Sequence, residues 1–283
     1  MAETKTTAIP DTGFVPVDAP IYPLPDGTEY IPRKIGGHEN DVEAIRWLIM
    51  HGFHVLLLGE PGCGKTALIH GAFGNRLENE VGLSKMQAPD MLWRWRIGED
   101  GKPVPDPAPL SRAAQFGHLF YLDETMRLSE DGFTPLFSAM DGRDRIVAGN
   151  LDQTDMMIQP GFGVVGASNP MVRGAFLPDA IQSRFHILTV ETHEDVLRSM
   201  GIADELITIW LNLKNQQGGE SWKPSIRELK QANRLMQLGN ESEAAYAITG
   251  HRVPAKDREN VSSVVSSVLG VRLEPSGMGG VIR

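Results

Sequence analysis

Cysteine is almost missing: Cys63 is the only one in 283 residues. That excludes an internal disulfide and a metal site built from several thiolates. Long apolar runs are missing too. The longest, such as Val55 to Leu58, are strand-sized and far below the ~18 residues that a membrane-spanning helix needs. The amino-terminal Met-Ala-Glu-Thr-Lys-Thr-Thr has no apolar core of the kind a secretory signal carries. There is no excess of basic charge: the formal net charge is -9 and the pI about 5.4. A broad nucleic-acid-binding surface usually carries a basic field, so this balance argues against one and leaves room only for a narrow basic pore. The expectation is a cytoplasmic protein with no membrane partner, of one large domain or two ordinary ones.

Order along the chain begins late. Residues 1 to about 33 hold Pro10, Pro16, Pro20, Pro23, Pro25 and Pro32 and show no apolar period. They read as an extended arm. From Gly36 the pattern changes. Val42, Ile45, Leu48 and Ile49 share one helical face, with Asn40 or Asp41 as the cap. His54 to Leu58 is a buried parallel strand, followed by a glycine turn and a helix from Ala67 to Phe73. His118 to Leu122 and Gly163 to Ala167 are two more buried strands, and Ile187 to Val190 is a last one. A helix is expected from Ser129 to Met140. After about Thr192 the periods are helical throughout: Glu194 to Met200, Ala203 to Leu213, Ser225 to Leu238, Glu241 to Ile248 and Arg258 to Leu269. The reading is an α/β domain with a parallel sheet, then a smaller all-α domain.

Gly59-Glu60-Pro61-Gly62-Cys63-Gly64-Lys65-Thr66 satisfies G-x-x-x-x-G-K-[ST] at every fixed position, between a buried strand and a helix. Glycines let the backbone curl so that several N–H groups face phosphate oxygens, and the helix beginning near Ala67 adds its positive end. Lys65 is the group to reach the β- and γ-phosphates, and the Thr66 hydroxyl the group to hold Mg²⁺. Cys63 fits as a small residue at a variable position.

Asp123-Glu124 ends an apolar strand. The aspartate suits Mg²⁺, and the glutamate suits orienting and deprotonating an attacking water. That second carboxylate points to hydrolysis, since a small-molecule kinase takes its nucleophile from its substrate. Asn169 closes the next strand, where its amide is placed to hold the water. Arg184 and Arg227 are ordinary taken singly; their order after these motifs gives them weight.

Together these residues resemble the AAA+ ATPases, specifically the MoxR clade and its smaller CbbQ/NorQ/GvpN-like members, from about Ile35 to Leu238. Gly36-Gly37-His38-Glu39 resembles the segment before the first helix. His54 to Thr66 is similar to the Walker A region, Tyr121 to Arg127 to Walker B, and Gly166 to Pro170 to sensor 1. Leu177 to Phe185 resembles the stretch that ends in an arginine finger, and Ser225-Ile226-Arg227 the sensor 2 element. The resemblance implies a P-loop NTPase fold with a three-layer αβα core and a small helical lid. It divides the chain into a proline-rich arm (1–34), a nucleotide-binding core (35–191) and a helical lid with tail (192–283). ATP and Mg²⁺ are the implied ligands. Arg184 would complete a neighbour's site, which requires a ring, by implication a homo-hexamer; Arg227 would act from the lid of its own subunit. Arg127 would serve the subunit interface. Residues 93–107 and 143–160 would be hairpins that contact a client. In the first, Trp93 and Trp95 alternate with Arg94 and Arg96, either as a gripping face or as an ordinary amphipathic strand. Ala108-Pro109-Leu110 and Met140-Asp141-Gly142-Arg143 depart from the clade's usual elements.

The function so implied is ATP hydrolysis coupled to remodelling or activation of a protein client, with a separate von Willebrand factor A domain protein as a partner. The rivals are a nucleic-acid-directed motor, kept open by the Arg/Trp hairpin, a nucleotide-binding scaffold that barely turns over, and a small-molecule kinase.

Overall fold

His54-Val-Leu-Leu-Leu58 has no polar face to offer solvent, so it folds as a central strand with both faces covered. The computed structural model describes residues 22–35, 37–146, 156–170, 177–215, 222–249 and 253–273. In these the chain forms β1 (Tyr22–Pro23), β2 (Glu29–Tyr30), α1 (Asp41–Met50), β3 (His54–Leu58), α2 (Lys65–Phe73), β4 (Leu77–Val81), α3 (Ala88–Leu92), β5 (Trp93–Ile97) and β6 (Pro103–Pro107). There follow α4 (Pro109–Phe116), β7 (Leu119–Asp123), α5 (Thr134–Met140), β8 (Arg145–Ile146), β9 (Met156–Met157), β10 (Gly163–Ser168), α6 (Asp179–Gln182) and β11 (Phe185–Thr189). The remainder is helical: α7 (Glu194–Ser199), α8 (Asp204–Lys214), α9 (Ile226–Gln237), α10 (Glu241–Thr249) and α11 (Arg258–Leu269).

Five strands make one sheet in the order β11-β3-β10-β7-β4, every pair parallel. Leu56, Phe120, Leu122 and Val164 join a core with Leu110, Ala113, Phe133 and Leu136 from the helices. Val55, Leu57, Tyr121 and Val165, pointing the other way, are buried as well. This is the α/β P-loop architecture with a parallel sheet. The chain separates into two compact units, one of Met1–Gly59 with Lys65–Val190, the other of Glu60–Gly64 with Glu191–Arg283. The second unit has its own core, with Trp210, Leu206, Ile209, Leu213, Leu229, Ala232, Ile248 and Val261 all but closed to solvent. A Ser225/Glu228 capping box starts its α9.

Several expectations need correction. Part of the proline-rich arm is folded: β1 and β2 form a hairpin around Gly27, and Tyr22 and Tyr30 are buried. Tyr30 donates to Asp41 Oδ2 at 2.5 Å and the Arg33 N–H to Asp41 Oδ1 at 2.9 Å. Two tyrosines eight positions apart carry no apolar period, so the sequence hid the clip. Residues 1–21 lie outside the described residues. Asn40 caps α1, accepting from the Glu43 N–H at 2.9 Å, while Asp41 anchors the clip. The helix expected from Ser129 becomes α-helical only at Thr134, after a 3₁₀ turn at Asp131–Phe133, because Pro135 fits only a first turn. Strand β4, Leu-Glu-Asn-Glu-Val, went unread: its three polar residues suit an edge strand paired on one side only.

His54 ties two elements of this core together. Its Nδ1 accepts from the Val164 N–H at 3.1 Å, joining β3 to β10. Burial pushes its pKa down to about 4, with the Met140 backbone opposing in part. The folded protein therefore holds the ring neutral, whereas the unfolded chain takes up a proton below about pH 6.5. His54 stability is complete above that value and is lost as the pH falls toward 4, amounting to roughly 3 kcal/mol. Chemical denaturation at pH 7.5, 6 and 5 should show this slope, and His54→Gln, which keeps an acceptor but cannot titrate, should flatten it.

Candidate nucleotide-binding site

Parallel register carries three loops to one place. Ser168 of β10 pairs with Leu58 of β3, and Gly166 of β10 with Leu122 of β7. The carboxyl ends of β3, β10 and β7 therefore stand side by side, the usual position for a ligand site in an open α/β sheet. Gly59, Lys65 and Thr66 follow β3, Asp123 and Glu124 end β7, and Asn169 follows β10, so the structure brings these sequence-derived candidates together. Gly59 N–H donates to the Ser168 carbonyl at 3.2 Å. Lys65 Nζ donates to the Gly59 carbonyl at 2.8 Å, closing the loop on itself. Thr66 Oγ1 lies 3.1 Å from the Tyr121 hydroxyl. Ala67 continues α2, and Cys63 is buried within the loop.

The turn after β7 is the most constrained point of the backbone. Glu124 has φ +52°, the only positive value at a non-glycine among the described residues. Such a conformation costs on the order of 1 kcal/mol or more and persists only where its surroundings impose it. They do. The Asp123 carboxylate accepts from the Glu124 N–H at 2.9 Å, Thr125 Oγ1 donates to the Leu122 carbonyl at 2.7 Å, and Ser168 Oγ accepts from the Met126 N–H at 3.2 Å. Gly82 and Gly166 leave room for it: a Cβ at Gly82 would sit 2.7 Å from the Glu124 carbonyl, and one at Gly166 2.7 Å from Thr125 Oγ1. Glu124 Oε2 is buried without a hydrogen bond, although Arg127 Nε stands 3.3 Å away. That ion pair has the distance but not the N–H alignment, so the carboxylate keeps an unused acceptor.

These residues fit a nucleotide with a divalent cation. The loop glycines Gly62 and Gly64 adopt φ +76° and +97°. An acceptor oxygen stands uncommitted at Glu124. Among the described residues no cluster of three or more metal-ligating side chains occurs. A hydroxyl and one carboxylate are what Mg²⁺ uses when substrate phosphates supply the other oxygens.

The two candidate arginines differ in place: Arg184 lies away from the loop and Arg227 beside its tip. Arg184 precedes β11, where Phe185 pairs with His54 at the opposite end of the strands. A five-residue strand, about 16 Å, separates that level from the phosphate loop's level. Arg184 Nε contacts Asp141 Oδ1 at 2.5 Å, its guanidinium also bonds the Ala180 carbonyl, and it lies 5.1 Å from the Phe137 ring centre. The hydrogen bond to Arg184, ahead of the Coulombic attraction of Arg184 and Arg143, holds the Asp141 carboxyl below its ordinary value. Arg227 lies on α9, in the second unit, with the loop tip Glu60-Pro61-Gly62-Cys63-Gly64. There Lys223 Nζ meets Glu60 Oε1 at 2.9 Å, and a Cβ at Gly62 would come within 3.3 Å of Ser225 Cβ and 3.6 Å of Arg227 Cβ.

The 93–107 segment is a β5–β6 hairpin. Trp93 turns inward, and its indole N–H is buried without a partner; Trp95 and Ile97 are 68% and 71% exposed. Arg94 pairs with Glu80, and Arg96 Nε stands 3.6 Å from Asp106 Oδ1. The alternation is therefore apolar face against neutralised face, not a bare basic stripe. In the 143–160 segment β8 and β9 pair, with Ile146 and Met156 in the core; residues 147–155 lie outside the described residues. Sequence reading quoted Tyr121, Gly166, Ser168 and Asp141 only within longer stretches, without a role for any of them, and did not single out Gly82. Only Tyr121 carried a signal, as a phenol inside an apolar strand two residues before an aspartate.

No helix among the described residues is long and apolar enough to cross a membrane. Residues 54–185 match the family described as AAA domain (dynein-related subfamily). Among curated proteins, the chain is 33% identical over 138 residues to the denitrification regulatory protein NirQ of Pseudomonas aeruginosa, covering 47% of this chain and 51% of that one. It is 33% identical over 159 residues to protein NorQ of Paracoccus denitrificans, covering 54% and 53%. It is 29% identical over 100 residues to protein MoxR of Methylorubrum extorquens, covering 34% and 29%. The matched region spans about half the length of NirQ and NorQ.

Glycine tolerates the conformation that Glu124 is forced to adopt. Glu124→Gly should therefore leave the denaturation midpoint equal or raise stability by up to about 1 kcal/mol, while Glu124→Gln leaves it nearly unchanged. Urea melts of the two variants check this, and a loss of more than 1 kcal/mol with glycine would show that the turn is not strained.

Proposed function

We propose that this chain, which matches the AAA domain family over residues 54–185 and is similar to NirQ, NorQ and MoxR, is an AAA+ protein of the MoxR kind that hydrolyses ATP in a ring of like subunits and uses the movement on a separate protein client. The observation that carries this is the turn after β7, where an imposed backbone conformation holds a carboxylate with an unused acceptor beside the phosphate loop. Strain of this kind is retained where function requires it.

In this reading residues 35–191 are the nucleotide core and residues 192–283 the lid with its tail. Glu124 accepts the proton of the attacking water, and the Asn169 amide orients that water. Lys65 neutralises charge on the phosphates, and the loop N–H groups from Gly59 to Thr66 hold them in place. Thr66 and Asp123 would hold Mg²⁺, which when bound supplies charge compensation on the β- and γ-phosphates. Arg227 contacts the nucleotide from the lid of the same subunit. Arg184, at the far end of its own sheet, cannot serve its own loop and is supplied to a neighbouring copy, leaving Asp141 as it does so. A homo-hexamer is the ring we propose.

The client reading draws on NirQ, whose name describes a regulatory protein, and on the exposed Trp95 and Ile97 at the β5–β6 hairpin. A separate protein with a von Willebrand factor A domain is the partner we propose. A nucleic-acid-directed motor is the second reading. The pairing of Arg94 with Glu80 and of Arg96 with Asp106 weighs against it, because a phosphate backbone would have to displace both carboxylates.

Glu124→Gln should retain nucleotide binding and lower ATP turnover by about 100-fold or more. Equal rates for wild type and variant, alone and with a client, would sink the motor reading in favour of a scaffold. Trp95→Ala should leave basal turnover unchanged and abolish its stimulation by the client captured on the ATP-loaded Glu124→Gln form. Stimulation by DNA or RNA that falls steeply with salt would favour the second reading instead.

A further inference from the structure

We propose that Tyr121 is a positioning residue that links Thr66 to Asp123 and sets both for a divalent cation held with the nucleotide. The inference rests on the nucleotide-site reading above and concerns a residue that reading leaves without a role.

Tyr121 is 2% exposed in the middle of β7, on the sheet face that also buries Val55, Leu57 and Val165. A phenol there must satisfy its hydroxyl. It does so on the site. Its oxygen lies 3.1 Å from Thr66 Oγ1, in the first turn of α2. Asp123, two residues further along the same strand, shares its sheet face, and its carboxylate is the acceptor next in line for the phenol. A phenol keeps its proton at neutral pH and so remains a donor.

The order of donors follows from what a cation needs. A threonine hydroxyl that binds a cation uses a lone pair and must send its own hydrogen elsewhere. Either oxygen of the Thr66–Tyr121 contact can donate. If Thr66 donates to Tyr121 and Tyr121 to Asp123, every hydrogen is placed and both Thr66 lone pairs remain open. The chain then continues, because the Asp123 carboxylate also accepts from the Glu124 N–H at 2.9 Å. One phenol thus fixes the rotamer of the hydroxyl ligand and the orientation of the carboxylate, and through it the turn that bears Glu124. Removing the phenol oxygen would leave Thr66 free to rotate or to donate directly to the cation-binding carboxylate.

Tyr121→Phe removes that oxygen and nothing else. Binding of a fluorescent ATP analogue would be titrated against free Mg²⁺, and separately in EDTA, with a thermal melt of each protein alongside. Expected is unchanged affinity in EDTA, within about twofold, and a Mg²⁺ midpoint raised about tenfold, the loss of one hydrogen bond to the ligand set. In a Thr66→Ala background the same substitution should shift the midpoint by clearly less, since only its hold on Asp123 is then left to lose. A wild-type midpoint in Tyr121→Phe, or an equal shift in both backgrounds, would overturn the role of Tyr121 while leaving the site reading intact. A wild-type protein whose binding of the analogue ignores Mg²⁺ would overturn both.

Discussion

The chemistry of this protein hangs on three parallel strands that end at the same level. Ser168 of β10 lies beside Leu58 of β3, and Gly59 N–H reaches back to the Ser168 carbonyl at 3.2 Å. That register holds the start of the phosphate loop, the Asp123-Glu124 turn and Asn169 within one another's reach. A slip of one residue in β10 would turn Val164 and Ser168 to the wrong face and take Ser168 Oγ from the Met126 N–H. Buried aliphatic residues on both faces of the sheet make such a slip costly, so the core and the site are secured by the same packing.

Two missing Cβ atoms then admit what the register prepares. Gly82 lets the chain after β4 lie against the Glu124 carbonyl, and Gly166 lets Thr125 tuck against β10. Around them Asp123, Thr125 and Ser168 spend their hydrogen bonds on backbone groups of the turn. The result is a carboxylate aimed by its backbone rather than by its own side-chain partners. Arg127, at 3.3 Å, balances its charge without capturing the oxygen in a hydrogen bond.

Charge elsewhere is arranged in pairs that follow the strands. Glu78 and Glu80 alternate along β4; Glu80 takes Arg94 of the hairpin, and Glu78 takes Arg112 of α4, Nε to Oε2 at 2.8 Å. Arg112 also donates to the Pro107 carbonyl at the hairpin's foot, at 2.7 Å. The edge strand that reads as polar and unremarkable is therefore the mount of the β5–β6 hairpin. Arg184 and Asp141 form a comparable tie between the start of β11 and the end of α5, from which β8 departs.

Much of this was legible in the residues themselves. The glycine loop with Lys65 and Thr66, the apolar run ending in Asp123-Glu124, and the helical periods after Thr192 each depend on local spacing, which a linear sequence displays. The parallel sheet followed from continuous apolar runs, which only two-sided burial explains. What the chain could not display was anything set by contact at a distance. Strand β4 is a strand because β7 lies beside it; Tyr22 and Tyr30 are a clip because Asp41 receives one of them. Arg94 and Arg96 look basic in sequence and are neutralised by carboxylates brought up from Glu80 and Asp106. Tyr121 passes for a strand residue until folding sets its hydroxyl against Thr66, because the partner of a side chain is chosen by the fold and not by its neighbours in the chain.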